Sequence, residues 1–252
     1  MGKSVFKNIK DKRVLITGAS GGIGSCMVLL FAEYQAIVGV HYHQGKEEAE
    51  DLVRQVEEKK GCAVSFQADL VTEAGDVLIR SFIERFGGID ILINNAGAVF
   101  GSKEILELDE ISWENTFRLN TQAPFFLAQS AFRFMKNNGG GKIIGISSIS
   151  AKYGGSNKTL HYGASKAALE ALNVGLAKAG APHNILVNTV RAGFIDTPLH
   201  QKLGRTNLEK RIQAIPLKRA GKAEDIARMV LFLASEGGDF ITGEIFTVAG
   251  GD

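Results

Sequence analysis

Short apolar runs alternate with longer amphipathic runs along most of the chain. The apolar runs span residues 14–17, 36–40, 63–67, 91–94, 142–147, 185–190 and 245–248. They are apolar on both faces, as expected of strands in a parallel sheet that helices cover on both sides. The periodic runs predict helices over residues 22–34, 46–60, 72–86, 109–137, 162–179 and 223–235. The pattern therefore predicts an α/β fold: a Rossmann-type, doubly wound parallel β-sheet of about seven strands.

One segment, residues 194–217, breaks this alternation. It carries Pro198, Gly204 and Pro216 among mixed charged and apolar residues. It can be a substrate flap over a site or a surface connection with short helices, and the pattern does not separate the two. No repeat, linker or low-complexity tract divides the 252 residues, so we interpret residues 1–252 as one domain.

Charge and composition narrow the function classes. The formal net charge is +2 with no basic block, which argues against nucleic-acid or membrane-surface binding. No apolar run approaches the ~20 residues of a membrane span, and the lysine-rich start lacks a secretory signal. We therefore expect a cytoplasmic protein in which Cys26 and Cys62 are reduced. No residue cluster suggests a metal site.

A glycine-rich turn, Thr17-Gly-Ala-Ser-Gly-Gly-Ile-Gly24, joins the first predicted strand to the first predicted helix. Residues without a Cβ let the backbone approach a phosphate, and the amides at a helix N-terminus attract its charge. Such a turn can also exist without a ligand. Three glycines (Gly18, Gly22 and Gly24) within seven residues favour a dinucleotide phosphate site.

Tyr162 and Lys166 lie four residues apart at the start of a predicted helix, so their side chains share one helix face. Tyrosine normally titrates near ~10, and a cation beside it favours the phenolate. The pair can thus serve acid–base chemistry. Alone, the spacing could arise by chance; together with the glycine-rich turn it indicates a nicotinamide-dependent reductase.

These motifs resemble those of the short-chain dehydrogenase/reductase family, in its compact single-domain form. The similarity covers nearly everything from residue 10 onward. Further landmarks in the family's order are Asp69, Asn94-Asn-Ala-Gly97, Asn120, Ser148, Asp196-Thr-Pro198 and the closing run 240–251. The overall similarity points to 3-oxoacyl-carrier-protein reductase-like members. The bacterial enoyl reductase branch differs in that it places more residues between its Tyr and Lys.

The resemblance implies roles for four catalytic residues. Tyr162 would exchange a proton with the substrate oxygen, and Ser148 would hydrogen-bond the same oxygen. Lys166 would hold the nicotinamide ribose and tune Tyr162, and Asn120 would hold a water that links Lys166 to solvent. Two of these assignments have structural alternatives: Ser148 could close a local turn, and Asn120 could be a polar residue at a helix kink.

Cofactor contacts follow from the same resemblance. They are assigned to Gly18, Ser20, Gly22, Ile23, Gly24, Tyr42, His43, Asp69, Leu70, Asn94, Ala96, Gly97, Tyr162, Lys166, Gly193, Ile195 and Thr197. Asp69 would accept from the adenine amino group; its alternative is a helix cap. Thr72 is better placed as that cap, which would leave Asp69 free. Asn95 is interpreted as mostly structural.

Cofactor preference depends on the end of the second strand. An NAD enzyme normally has a carboxylate there to bind the ribose 2′-hydroxyl, whereas this chain has Tyr42 followed by His43. Ser20 and Lys46 could approach a 2′-phosphate, and Gly21 counts against one, because NADP-dependent relatives often have Arg or Lys there. We predict NADP(H) as preferred, with NAD(H) possible. His41 and His43 could instead be solvated loop residues.

The implied activity is hydride transfer between the nicotinamide of NADP(H) and a small-molecule carbonyl or secondary alcohol. Alternatives are a non-catalytic nicotinamide sensor, an isomerase or dehydratase on the same fold, or a 3-oxoacyl-carrier-protein reductase specifically. Apolar residues expected in the pocket are Phe100, Tyr153, Leu160, Phe194, Leu199 and Leu203. The family resemblance, with apolar bulk at Phe117, Phe125, Phe126, Leu127, Phe132 and Phe134, predicts a homotetramer, or at least a homodimer.

Overall fold

Seven parallel strands form one sheet in the computed structural model, which describes residues 6–73, 75–101, 103–197 and 208–252. The strands are β1 Arg13–Ile16, β2 Ile37–Tyr42, β3 Cys62–Gln67, β4 Ile91–Asn94, β5 Gly141–Ser148, β6 Ile185–Ala192 and β7 Ile245–Val248. Their order is β3-β2-β1-β4-β5-β6-β7. The chain runs from β1 to one edge, then crosses back beside β1 and continues to the other edge. This is the doubly wound sheet that the sequence predicts.

Helices cover both faces of the sheet. Among the described residues they are α1 Gly22–Glu33, α2 Lys46–Glu58, α3 Gly75–Phe86, α4 Glu110–Phe117, α5 Ala123–Lys136, α6 Ile149–Tyr153, α7 Leu160–Gly180, α8 Leu208–Ala214 and α9 Ala223–Ala234. One core cluster contains Val14, Ile16 and apolar residues of α1, α2 and α9. Leu15 points to the other face and packs with α3, α5 and α7. The alternation along β1 therefore feeds two cores, which explains why the strands are apolar on both faces.

The predicted helix over residues 109–137 is wrong as a continuous element. Helix α4 ends at Phe117, a π turn spans Arg118–Gln122, and α5 follows. A π turn accommodates one extra residue per turn, which a search for a 3.6-residue period does not detect. Helices α6 and α8, of 5 and 7 residues, are too short for periodicity to predict.

The predicted substrate flap, residues 194–217, is only partly described. Pro198, Leu199, Leu203 and Gly204 lie outside the described residues. The described C-terminal part contains α8, a short helix, which both interpretations of the segment allow.

The loops after β1 and β4 are joined where the winding of the sheet reverses. The side-chain amide of Asn95 donates to Thr17 O at 2.9 Å and to Gly18 O at 3.0 Å. Thr17 Oγ1 accepts the backbone amides of Asn95 and Ala96, both at 3.0 Å. Asn95 thus ties the glycine-rich turn to the end of β4 at the edge of the sheet where α/β proteins bind ligands.

Candidate active site

A cavity of about 1760 Å³ opens at the carboxyl ends of the strands. This exceeds the roughly 300–1,000 Å³ of a pocket for one small ligand, so it has room for a dinucleotide and a substrate together. Many of the residues predicted for catalysis or cofactor binding line it: Gly18, Ser20, Gly22, Ile23, His43, Asp69, Leu70, Ala96, Gly97, Ser148, Tyr162, Lys166, Gly193, Ile195 and Thr197.

Four predicted residues are not part of this lining: Gly24, Tyr42, Asn94 and Asn120. Gly24 is a packing requirement, because a Cβ there would lie 2.3 Å from Gly18 O. Asn94 is 2% exposed and donates to Pro124 O at 3.0 Å, which ties β4 to α5. Gly24 and Asn94 therefore stabilise the structure around the cavity without lining it.

The glycine-rich turn presents the start of α1 to the cavity. Gly18 has φ +60°, and a Cβ there would lie 2.8 Å from Ala96 Cα, so only glycine allows the two loops to pack. Gly21 is the N-cap of α1 and provides no capping side chain. The Gly24 amide donates to Gly21 O at 3.1 Å, and the preceding amides of Gly22 and Ile23 lie where an anionic group can bind. A Cβ at Gly22 would lie 3.7 Å from Thr197, which comes from the loop after β6.

Lys166 is buried beside the catalytic tyrosine candidate. Its Nζ donates to Ile146 O at 2.8 Å and lies 5.9 Å from the centroid of the Tyr162 ring. Burial lowers the pKa of Lys166 to about 8, while the charge of Glu170 opposes this shift. The ammonium therefore lies close to its titration range at physiological pH. A Cβ at Gly97 would lie 2.9 Å from Nζ, which only glycine avoids.

Asn120 lies in the π turn and is fully buried. Its Nδ2 donates to Ala98 O at 2.8 Å and to Thr116 O at 2.9 Å, and its Oδ1 accepts Ala98 N at 3.2 Å. Asn120 thus lies in the π turn that separates α4 from α5, and it also holds the loop that contains Gly97 beside Lys166.

Two adjacent serines at the end of β5 have different surroundings. Ser147 is buried and donates to Glu170 Oε1 at 2.7 Å. Ser148 lines the cavity, and its Oγ accepts the Ser150 amide at 3.2 Å as the N-cap of α6. The local turn anticipated as an alternative is present, and the hydroxyl hydrogen of Ser148 stays available for another acceptor.

The expectation that the Asp69 side chain is free is wrong, because it closes a turn in the loop before α3. Its Oδ1 accepts the Val71 amide at 3.0 Å and its Oδ2 accepts the Thr72 hydroxyl at 2.9 Å. The Val71 and Thr72 hydrogen bonds, with the nearby His43, hold the pKa of Asp69 below its usual range despite some desolvation. Thr72 is thus a hydrogen-bond donor to Asp69. Asp69 still faces the cavity, where its remaining lone pairs can accept.

The residues at the end of β2 alternate in direction. Tyr42, expected at the cofactor, is 7% exposed and packs in the core cluster with α1 and α2. His43 is exposed and lines the cavity. The solvated-loop interpretation of His41 is wrong: its Nδ1 accepts the Gly18 amide at 3.0 Å, so its Nε2 donates to Ala68 O at 3.1 Å. Burial lowers the pKa of His41 to about 4, which keeps the ring neutral.

Sequence reasoning missed charged residues of the lining, among them Glu48 in the first turn of α2 and Asp252, which pairs with Arg211 of α8. A Cβ at Gly45 would lie 3.1 Å from Glu48 Oε2 and 2.9 Å from Ser20 Oγ, so these two side chains flank the same glycine. The two glutamates at the start of this predicted helix, Glu47 and Glu48, were the sequence feature that could have indicated an acidic group here. Lys46, considered for a 2′-phosphate, instead pairs with Glu50 at 3.6 Å and is not part of the lining.

The described residues hold no group of three or more His, Cys, Asp or Glu side chains placed to bind a metal. Within the same residues no helix has the length and apolar character needed to cross a membrane.

Comparison with known proteins supports a single family. The sequence model of the family described as enoyl-(acyl carrier protein) reductase matches residues 18–252. A 3-oxoacyl-[acyl-carrier-protein] reductase of Thermotoga maritima is 34% identical over 245 residues, covering 96% of this chain and 98% of that protein.

Solved structures agree with the sequence comparison. A 7α-hydroxysteroid dehydrogenase complexed with NADH and 7-oxo glycochenodeoxycholic acid superimposes with a TM-score of 0.92 at 30% identity, covering 100% of this chain and 98% of the other. A short-chain dehydrogenase of Burkholderia cenocepacia in complex with NADP gives a TM-score of 0.86 at 30% identity, covering 96% and 98%. The chain therefore belongs to the short-chain dehydrogenase/reductase family of oxidoreductases.

Proposed function

We propose that this chain is an NADP(H)-dependent carbonyl reductase or secondary-alcohol dehydrogenase with Tyr162 as its acid–base residue. The observation that carries the proposal is that Tyr162, Lys166 and Ser148 line the same cavity as the glycine-rich turn. Nicotinamide-sensing proteins of this fold typically lose the Tyr or the Lys, and this chain has both. The four-residue Tyr–Lys spacing also favours carbonyl reduction over enoyl reduction.

Each catalytic side chain has a role that its surroundings allow. A bound nicotinamide would supply or accept the hydride. Tyr162 donates its phenolic proton to the substrate oxygen during reduction and removes the hydroxyl proton during oxidation. Ser148 donates a hydrogen bond to the same oxygen. Lys166 in its charged form favours the phenolate and would hold the nicotinamide ribose. Asn120 Oδ1 keeps a lone pair for a water that returns protons toward Lys166.

The rest of the lining fits a dinucleotide. The start of α1 would receive the pyrophosphate, and Gly193, Ile195 and Thr197, in the loop after β6, would hold the carboxamide end. Asp69 and Leu70 would contact the adenine.

We propose NADP(H) as the preferred cofactor. The exposed His43 and the Ser20 hydroxyl at the edge of the cavity can contact a 2′-phosphate, and the end of β2 has no carboxylate. Two acidic side chains of the lining oppose this assignment: Glu48 on α2, and Asp69, whose Oδ2 lies 3.8 Å from His43 Nε2. Equilibrium titration with NADPH and NADH tests the preference directly, and a clear preference for NADH would contradict it.

The substrate end combines apolar and polar residues. Phe100, Tyr153 and Phe194 line the cavity as predicted, whereas Leu160 is not part of the lining. Ser150 and Lys158 add polar groups. A medium-sized carbonyl compound fits this mixture. A 3-oxoacyl thioester is the specific candidate, since relatives at 34% and 35% identity are named 3-oxoacyl-[acyl-carrier-protein] reductases.

The test is NADPH consumption with a panel of carbonyl compounds: a 3-oxoacyl thioester, an α-diketone and an oxo steroid. Consumption that is lost in Tyr162→Phe supports the proposal. Tight NADPH binding without consumption on any member would favour a sensor. Conversion of substrate without net change in NADPH would favour an isomerase or dehydratase.

We further propose that copies of the chain associate, as dimers or tetramers, through the surface formed by α4, the π turn, α5 and α7. Trp113 and Phe126 are 41% and 43% exposed there, and Trp113, Phe117, Phe125 and Leu172 line a groove. Leu127 is buried, and Phe132 and Phe134 are half-buried against the core. Light scattering tests the assembly, and a monomeric mass would contradict it.

A further inference from the structure

A buried carboxylate, Glu170, lies one helical turn after Lys166 on α7. It is 6% exposed. Its Oε2 accepts Arg191 Nη2 at 2.6 Å and its Oε1 accepts Arg191 Nε at 2.8 Å. Oε1 also accepts Ser147 Oγ at 2.7 Å. Neither Glu170 nor Arg191 lines the cavity, and the catalytic roles proposed above use neither residue. Buried charges are costly even when paired, so this pair calls for a functional explanation.

The pair connects the three elements that carry the active-site residues. Ser147 directly precedes Ser148 on β5, and in the sheet it pairs with Arg191 of β6. Arg191 lies two residues before Gly193, which lines the cavity. Glu170 follows Lys166 by four residues, so both side chains share one face of α7. One carboxylate therefore fixes the position of α7 against β5 and β6 directly beneath the catalytic groups.

The pair also provides a carboxylate that acts on Lys166, and Arg191 partly neutralises this carboxylate. Burial lowers the pKa of Lys166, and the negative charge of Glu170 raises it. Among the described residues, the other groups around Lys166 carry no fixed charge: Tyr162 on α7, Asn120 on the π turn and the serines of β5. On α6, Lys152 contacts Tyr153 at the protein surface. The charge balance around Lys166 thus depends on Glu170 and on how far Arg191 neutralises it.

We propose that Glu170 and Arg191 are positioning residues that set the charge balance at Lys166, and through Lys166 the pH range in which Tyr162 works. The proposal rests on the proposed function, because it takes Lys166 and Tyr162 as the catalytic pair.

Two single substitutions should have opposite effects on the pH dependence of kcat. Glu170→Gln removes the negative charge and leaves Arg191, so the profile should move to lower pH. Arg191→Gln leaves Glu170 unpaired, so the profile should move to higher pH. Each displacement should be about one pH unit, the size expected of a nearby buried charge. A purely structural pair would lower stability in both variants without opposite displacements.

Conservative variants serve as controls. Arg191→Lys keeps the charge and should keep the native profile. Ser147→Ala removes one hydrogen bond without changing a charge, and its profile should also stay in place. The double variant Glu170→Gln/Arg191→Gln removes both charges and should return close to the native profile. It also provides a folded comparison if either single variant fails to fold, because buried ion pairs often tolerate joint replacement.

A second measurement separates this proposal from the proposed function. The pH dependence of NADPH affinity reports the charge of Lys166 without turnover, because Lys166 would hold the ribose. Opposite displacements of this binding profile support the charge-balance role even if no carbonyl substrate is reduced. If both single variants keep the native binding and kcat profiles to within about 0.3 pH unit, well below the expected displacement, the proposal is wrong.

Discussion

Replacing the buried Lys166 by methionine should stabilise the protein while abolishing its activity. Burial lowers the pKa of Lys166 from the ordinary 10.5 to about 8. At about 1.4 kcal/mol for each tenfold in a proton equilibrium, keeping this side chain charged in the folded state costs roughly 3 kcal/mol. Methionine has a similar length, carries no charge and can fill the same space.

The loss of the Lys166 contacts reduces this gain. Ile146 O loses its hydrogen bond from Nζ, which costs about 1 kcal/mol. We therefore expect a net increase of about 1–3 kcal/mol in the free energy of unfolding at neutral pH. For a chain of this size, each kcal/mol corresponds to about 2–4 °C in Tm. Catalysis should fall to background, because stability is gained at the position that function requires to be charged.

The sign of the pH dependence provides the sharper test. Between about 8 and 10.5 the unfolded chain binds more protons at Lys166 than the folded chain, so native stability rises with pH through this window. The cost is fully present below about 8 and disappears above 10.5. The advantage of Lys166→Met should therefore be largest near neutral pH and shrink at a pH of about 10, near the ordinary pKa of lysine.

Urea unfolding of the cofactor-free protein measures this difference at both pH values. Lys178→Met is the matched control, since Lys178 is exposed on the same helix and should show no pH-dependent difference. The reasoning would be refuted if Lys166→Met were less stable than the native protein at neutral pH. It would equally fail if the difference between the two proteins were the same at both pH values.

Three further substitutions address catalysis and cofactor choice. Tyr162→Phe should abolish turnover and leave NADPH affinity nearly unchanged by titration, because only the transferable proton is lost; activity within a few-fold of native would contradict its role. Gly97→Ala should lower kcat at least about tenfold, as expected when a catalytic group is displaced by about 1 Å, because its Cβ would lie 2.7 Å from Asn120 Oδ1 and 2.9 Å from Lys166 Nζ. The control Gly175→Ala has open space around it and should retain activity and gain about 0.5–1 kcal/mol in urea unfolding. His43→Asp should reverse the preference to NADH through repulsion of the 2′-phosphate, measured by titration of both cofactors, whereas an unchanged preference would place the 2′ end elsewhere.

The pattern of apolar residues and glycines in the sequence was enough to locate every strand of the sheet and the start of α1. Those features depend on runs of apolar residues and on glycines, which are visible in the sequence itself. The π turn at Arg118–Gln122 was not predictable, because one additional residue changes the helical period too little to register. The strand order also depends on packing between distant segments and came from the structure.

At the site, side-chain direction was the information that the sequence lacked. Tyr42 and His43 are adjacent, and only the pleat of β2 decides that His43 lines the cavity while Tyr42 enters the core. His41 was ambiguous for the same reason. Asp69 was identified as a cofactor residue, but its hydrogen bonds to Val71 and Thr72 depend on the exact shape of a turn. The pairing of Glu170 with Arg191 joins residues 21 positions apart and gave no local signal.

The π turn also determines how far α5 is rotated about its axis relative to α4. Each residue of an α-helix advances about 100° around its axis, and the extra residue in Arg118–Gln122 rotates α5 relative to α4. Deleting one residue from this turn would restore a regular helix. It would also rotate Leu127 and Ala131 away from the core, or Thr116 and Asn120 away from the loop beside Lys166. A change in the length of this turn would thus disrupt both the core and the active site.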